Sequence, residues 1–343
     1  MKKQATNVLK FFFFLSIGIL LIWLALRNKS EKEINDIIIA IKQANYFWLF
    51  ASLVVSGLSH YFRALRWKLL LKPLGHQTKT SNTFFAVMVG YLANFALPRL
   101  GEVTRCGILT KYEKVPFTEG FGTVIAERAL DFICLVLLFF ATLGLEFDRI
   151  SGITNKFIFT PLSGKFNALI QKQVYVIITV IVLLIFIAAF YYFRKKIQSL
   201  VSAKVLGFMY GLWDGLKSIK NVDKPFWFIT HTILIWLMYI LQVYVCFFAF
   251  SETANLSLMV AVVIVVFGSI GVITVPGGTG AYQIIVIYIL TNVYIISSNP
   301  AEAITVANAF AWSVWTSQFI LILSLGLISL ILLAVLNKDV KNS

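Results

Sequence analysis

Six charged residues stand where an otherwise apolar chain has little reason to keep them. Arg99, Glu102 and Arg105 follow the apolar run Asn82–Leu97, and Glu127, Arg128 and Asp131 lie near the start of Phe121–Leu145. Charges in hydrocarbon are costly, so they pair with one another or line a polar cavity or pathway. Glu127 and Asp131 are one helical turn apart on one face, joined by Thr123, while Arg128, three before Asp131, can pair with it. Two readings stay open: a self-neutralised structural pair, or the polar face of a cavity. Two acids and one arginine leave a net negative charge unless Arg99 or Arg105 joins them. Arginines held by carboxylates can make charge-assisted hydrogen bonds to a lipid phosphate. Alternatively, Glu102, Glu127 and Asp131 contact a cationic headgroup.

The elements that would position these groups are broken helices. Tyr91–Arg105 packs Asn94, Pro98, Arg99, Gly101, Glu102 and Arg105 into a few turns after an apolar run. Pro98 removes a backbone donor and Gly101 is a poor helix former, so a helix running in from Phe84 breaks there. Gly271–Gln283 repeats the device, with Pro276, Gly277, Gly278 and Gly280 between two apolar runs. In lipid, irregular backbone is tolerated only where protein or water satisfies its freed groups. Two interrupted segments, one in each half, are the pattern of a site between repeats. The expectation is that the two breaks converge. Helix N-termini at Gly101 and Gly280 then aim unpaired N–H groups at one phosphate, and Gln283 adds a neutral amide donor. An ordinary surface loop at Pro98 is the plainer alternative.

Composition limits the class. The chain has 343 residues, 59% hydrophobic and 13% charged, against roughly 25% charged in soluble domains. Several apolar runs reach the roughly 20 residues that span a bilayer. The fold class is an all-α integral membrane protein of about seven to eight transmembrane helices plus re-entrant or broken helices, with an inverted repeat as a hypothesis. The whole chain is one polytopic membrane domain. Its polar connections, near 146–172 and 194–225, are too short to be an enzyme. Cys106, Cys134 and Cys246 have no paired spacing and His60, His76 and His231 are scattered, so neither a disulfide framework nor a metal site is expected. No P-loop is present, no cofactor is expected, and an intramembrane enzyme lacks a nucleophile–base or paired-acid constellation. The net charge of +15 lies beside apolar spans, which points to topology and anionic headgroups rather than to nucleic acid.

Along the chain, Lys2, Lys3 and Lys10 precede an uncleaved anchor, Phe11–Leu26, with the N-terminus inside. Residues 27–45 read as a short surface helix. Phe47–Tyr61 is the core of a second span that runs into Arg63, Arg66, Trp67, Lys68 and Lys72, read as a basic, aromatic interfacial collar. The run Asn82–Leu97 is short for a crossing. If residues 83–109 dip in and return at Pro98, every strongly basic loop falls inside. The re-entrant reading is therefore preferred. Phe121–Leu145, Val174–Phe193 and Phe226–Phe250 are spans, with 194–225 a cytoplasmic amphipathic connector. Leu256–Val275 and Ala281–Ile296 flank the second break. Ala301–Leu336 would reach about 54 Å, so it kinks, tilts or begins at the interface. Lys338 and Lys341 keep the C-terminus inside.

Four stretches, in order, resemble a known family. These are Arg63-Ala-Leu-Arg-Trp-Lys-Leu-Leu70, Asn94-Phe-Ala-Leu-Pro-Arg-Leu-Gly-Glu-Val-Thr-Arg105, Glu127-Arg-Ala-Leu-Asp131 and Pro276-Gly-Gly-Thr-Gly280. They are similar to the flippase-like membrane domain of lysylphosphatidylglycerol synthases, a family that includes stand-alone membrane proteins. The resemblance covers about residues 8–336. No lysyl-transferase domain follows before Ser343, so it implies lipid binding or translocation rather than aminoacylation. The family's Pro-Gly-Gly-x-Gly motif is typically followed by Glu at the position of Gln283, so a lysyl-lipid substrate is not carried over. The expected ligand is a membrane phospholipid or polyprenyl-phosphate lipid in the cell (inner) membrane. The residues expected around it are Asn94, Arg99, Glu102, Arg105, Glu127, Arg128, Asp131, Gly277, Gly278, Gly280 and Gln283. A membrane scaffold or accessory subunit without transport activity is the alternative.

Overall fold

The computed structural model describes residues 31–96, 100–154, 210–211, 213–274 and 276–337. The expected anchor Phe11–Leu26, the span Val174–Phe193, most of the connector 194–225, and Pro98 and Arg99 lie outside the described residues. Every regular element among those described is helical. In chain order they are α1 (Glu31–Gln43), α2 (Tyr46–Leu71), α3 (Thr80–Ala96), α4 (Leu100–Glu113), α5 (Phe117–Leu145), α6 (Phe147–Thr154), α7 (Pro225–Phe247), α8 (Leu258–Thr274), α9 (Ala281–Tyr288) and α10 (Pro300–Leu336). The surface helix expected within 27–45 is α1.

Local chemistry sets the starts of the long helices. Asn45 caps α2 by accepting from the Phe47 N–H at 3.1 Å. Asn299 caps α10 through Ala301 N–H at 3.1 Å, and Pro300 takes the first helical position, where no donor is needed. Helix α10 runs 37 residues without a break, about 55 Å, which leaves a tilt or an interfacial start of the three alternatives.

Helix α10 serves as the ruler of the fold. Its C-terminal Asn337 exchanges amide hydrogen bonds at 3.0 Å with Asn82, at the start of α3. There α3 and α4 form a helical hairpin. Its mouth is closed by the Glu113 carboxylate, which accepts from the Lys79 N–H at 3.1 Å and from Asn82 Nδ2 at 2.5 Å. The two arms meet at glycines: a Cβ on Gly90 would lie 3.0 Å from the Gly101 carbonyl oxygen. At the other end of α10, α8 and α9 form a second hairpin. A Cβ on Gly268 would lie 2.8 Å from the Tyr282 ring, and one on Gly271 would lie 2.7 Å from Tyr282 N. Helix α9 runs on through a π turn, Ile289–Val293, to Tyr294. The Tyr294 hydroxyl donates to Glu146 at the end of α5, 3.4 Å away. The two hairpins thus open at opposite ends of α10.

Their tips meet beside the middle of α10. A Cβ on Gly277 would come within 2.6 Å of the Phe95 ring. Trp315 Nε1 donates to the Gly277 carbonyl at 2.8 Å, and Phe95 packs edge-on against Trp315 and Phe319, at 6.5 and 5.1 Å between centroids. The last turn of α3 thus meets the second break at Gly277 through an aromatic joint; residues 97–99 of the first break lie outside the described residues.

Surface polarity is inverted relative to a protein in water. On α2, Phe50, Val54, Leu58 and Tyr61 are exposed, while Ser52, Ser56, Ser59, His60, Arg63 and Arg66 are buried. An apolar outside around a polar inside suits hydrocarbon surroundings. Two described helices, Pro225–Phe247 and Pro300–Leu336, are both long and apolar enough to cross a membrane. Helices α2 and α5, with 26 and 29 residues, are long enough but carry the buried charges.

Candidate functional site

Helix α2 packs against α7, α3 and α5, and α4 packs against α3 and α5. This brings one charged cluster together from three helices, α2, α4 and α5, with Tyr239 of α7 against it. Glu127 and Asp131, one turn apart on α5, both face α2. Arg63 Nη1 donates to Glu127 Oε1 at 2.5 Å and to Asp131 Oδ2 at 2.7 Å. Its Nη2 donates to the Tyr239 hydroxyl of α7 at 2.9 Å. Arg66 Nη2 donates to Asp131 Oδ1 at 2.7 Å and stands 3.5 Å from Glu127. Arg105 Nη1 reaches both Glu127 oxygens at 3.4 Å from α4, and its guanidinium lies 4.7 Å over the Trp67 ring. Trp67 is fixed in turn by its Nε1 bond to Thr123 at 2.9 Å.

Two expectations need correction here. Arg63 and Arg66 are not an interfacial collar. Both are buried, at 3% and 0% exposure, because their partners Glu127 and Asp131 are buried opposite them. Arg128 does not pair with Asp131. The Asp131 oxygens are taken by Arg63 and Arg66, and Arg128 Nη2 donates instead to Glu102 Oε1 on α4 at 2.9 Å. The next residue on a helix lies about 100° around the axis, which turns Arg128 away from the Glu127–Asp131 face and toward α4.

Glu127 and Asp131 therefore pair with Arg63, Arg66 and Arg105, and Glu102 pairs with Arg128, with Arg105 and Arg128 lining one pocket; Arg99 lies outside the described residues. Arg105 joins the two acids, as the sequence allowed, and Arg63 and Arg66 join as well. Four guanidiniums face three carboxylates, leaving one positive charge among the described residues. A unit charge attracts a monoanion at 4 Å by about 4 kcal/mol at an effective dielectric of about 20.

That excess borders a narrow pocket lined by Val87, Gly90, Tyr91, Asn94, Gly101, Arg105 and Arg128. Arg105 is 4% exposed, and its Nε and Nη2 have no hydrogen-bond partner among the described residues. A buried guanidinium with unused donors is costly, and an anion in the pocket would satisfy it. Arg128, 41% exposed in its side chain, forms the accessible side. The pocket is about the size of one water, so a phosphate requires the hairpin or Arg128 to shift.

The backbone donors expected at the breaks are already used. Asn94 Oδ1 accepts the Gly101 N–H at 2.7 Å, and Gln283 Oε1 accepts the Gly280 N–H at 2.8 Å. Asn94 and Gln283 thus cap their own hairpins. The Gln283 amide nitrogen remains without a partner, in a side chain 2% exposed. Gly277, Gly278 and Gly280 have φ of 62°, 71° and 80° and shape the second tip. None of them lines the Arg105 pocket, and the contact between the two tips runs through Phe95. Among the described residues no cluster of three or more His, Cys, Asp or Glu could hold a metal ion. His60 is a residue that sequence reasoning passed over. Its ring lies 4.6 Å from that of Tyr91, tilted by 46°, and a lone histidine carries no spacing signal.

Comparison with known proteins agrees with the sequence resemblance. The family model described as the lysylphosphatidylglycerol synthase TM region matches residues 8–324. A UPF0104 membrane protein of Methanocaldococcus jannaschii is 24% identical over 289 residues, covering 80% of this chain and 83% of the relative. Another, of Methanothermobacter thermautotrophicus, is 24% identical over 302 residues, covering 82% and 85%. Glycosyltransferase AglD of Haloferax volcanii is 24% identical over 102 residues, 29% of this chain and 16% of that protein. No solved structure matches.

Proposed function

Because the chain belongs to the lysylphosphatidylglycerol synthase TM-region family of membrane proteins, we propose that it is a multi-pass, flippase-like protein. In this reading it binds the phosphate of a phospholipid or lipid-linked phosphate at Arg105 and Arg128 and translocates the lipid. The observation that carries the reading is Arg105: buried, with unused donors, on a pocket bordered by one excess positive charge. The protein acts as a carrier rather than an enzyme, in the cell membrane.

The two hairpins support an alternating-access route. Both are re-entrant in this reading, dipping from opposite faces and meeting at Phe95 and Gly277, the arrangement of inverted repeats around a midplane site. The end of α10 that holds Asn337, together with Lys72, Lys79, Lys111, Lys114, Lys217 and Lys220, is the basic end and faces the cytoplasm by the positive-inside rule. Single cysteines at exposed Lys79 and Lys111 should then label from one side, and cysteines at exposed Ser257 and Ser298 from the other. Labelling of either pair from both sides would refute the hairpin topology.

Lipid binding tests the function. Native mass spectrometry of the purified protein should show retained anionic phospholipid or polyprenyl phosphate. Arg105→Ala should weaken that binding about tenfold or more, as expected for the loss of a charge-assisted bond. Lys217→Ala, at an exposed site, should not. A protein that carries no selective lipid, or an Arg105→Ala variant that binds like the wild type, would favour a scaffold.

A further inference from the structure

The geometry points to the class of headgroup: resting on the phosphate reading above, we infer that the lipid is a phosphodiester whose headgroup is uncharged and hydroxyl-bearing. Three observations carry this. First, the cluster offers little to a cation. Glu127 is faced by three guanidiniums, Asp131 by two, and Glu102 is held by Arg128. Only the second oxygen of Glu102 is left without a partner, and the network as a whole is positive. With the phosphate offsetting the one excess guanidinium, an ammonium headgroup would find no carboxylate of the cluster free of an arginine.

Second, a neutral polar group lies next to the pocket with its valences unused. His60 is 5% exposed, and neither ring nitrogen has a hydrogen-bond partner. Its ring lies against Tyr91, which lines the pocket. A neutral imidazole presents one donor and one acceptor, the complement of a hydroxyl. Groups of this kind buried without partners are rare in native proteins and call for an occupant.

Third, the polar surface continues past His60. One turn earlier on the same face of α2, Ser56 donates to Gln318 Oε1 of α10 at 2.5 Å. One turn later stands Arg63. A phosphate at Arg105 and Arg128 would therefore have its headgroup directed toward His60, Ser56 and Gln318, once the Tyr91 ring moves aside. These groups donate and accept but carry no negative charge. The chemistry suits the glycerol of a diacyl phospholipid or the sugar of a polyprenyl-phosphoryl sugar equally.

The test compares lipids of one charge on the full-length protein in detergent. Phosphatidylglycerol and phosphatidylethanol are both monoanionic phosphodiesters, but only the first carries headgroup hydroxyls. Phosphatidylethanolamine adds an ammonium, and a polyprenyl-phosphoryl sugar supplies the other source. Phosphatidylglycerol or the polyprenyl-phosphoryl sugar should bind about tenfold tighter than phosphatidylethanol, the worth of one or two hydrogen bonds, with phosphatidylethanolamine weaker still. Which of the two preferred lipids wins identifies the source. His60→Phe should bring phosphatidylglycerol down to the level of phosphatidylethanol, while His60→Gln, which keeps a donor and an acceptor, retains the preference. Equal binding of phosphatidylglycerol and phosphatidylethanol, or binding of phosphatidylethanolamine as tight as phosphatidylglycerol, overturns the headgroup assignment even if Arg105→Ala still weakens every anionic lipid. If Arg105→Ala weakens none, the phosphate site itself fails and this assignment with it. The wild-type comparison stands alone should His60→Phe not fold.

Discussion

Replacing Glu127 with Gln is expected to lower stability by about 3–5 kcal/mol, the range for breaking a buried ion pair. The carboxylate is fully buried and stands within 3.5 Å of Arg63, Arg66 and Arg105. Its neutralisation leaves Arg105 without a carboxylate partner and Arg63 and Arg66 sharing Asp131, in surroundings where each unpaired charge costs several kcal/mol. In a thermal melt of the detergent-solubilised protein this should appear as a drop on the order of 10 °C. Adding Arg63→Met to Glu127→Gln should recover part of the loss, because it removes one of the excess charges. A melt within about 2 °C of the wild type would mean that the cluster does not hold the bundle together.

Replacing Gly277 with Leu should abolish translocation while leaving the charged cluster intact. Gly277 has φ of 62°, where a side chain is strained by about 1–2 kcal/mol, and its Cβ would stand 2.6 Å from Phe95 Cε1. The leucine would drive the two hairpin tips apart at the joint held by Trp315. Phe95→Ala should restore part of the activity by making room. Gly280→Leu is the contrasting case: its φ of 80° is also strained, but its Cβ meets open space. It should be the milder of the two. A Gly277→Leu protein that translocates normally would show that the joint between the tips is not part of the route.

Much of this arrangement is legible in the chain because its signals are local. Pro98 and Pro276 mark where two apolar runs are interrupted, and the caps at Asn45 and Asn299 fix where long helices begin. Glu127 and Asp131 stand out by their one-turn spacing. What escapes the sequence is the identity of partners far along the chain. Arg63 and Arg66 sit beside Trp67, Lys68 and Lys72, so they look like an interfacial belt, and only the fold reveals carboxylates 64 and 65 residues away. Arg128 has Asp131 at a suitable local spacing, yet Arg63 and Arg66 outcompete it. Asn94 and Gln283 are recognisable as polar residues at the breaks, but their use as caps for Gly101 and Gly280 depends on how each chain reversal folds.

The most direct test of a lipid-phosphate route at Arg105 is translocation of a fluorescent phosphatidylglycerol across vesicles holding the purified protein. The wild type should move the lipid at least tenfold faster than protein-free vesicles, and Arg105→Ala, verified as folded by its melt, should fall back to the protein-free rate, consistent with the loss of a charge-assisted contact. Lys217→Ala should match the wild type. Equal rates for wild type and Arg105→Ala, or a wild-type rate no faster than protein-free vesicles, would contradict the account.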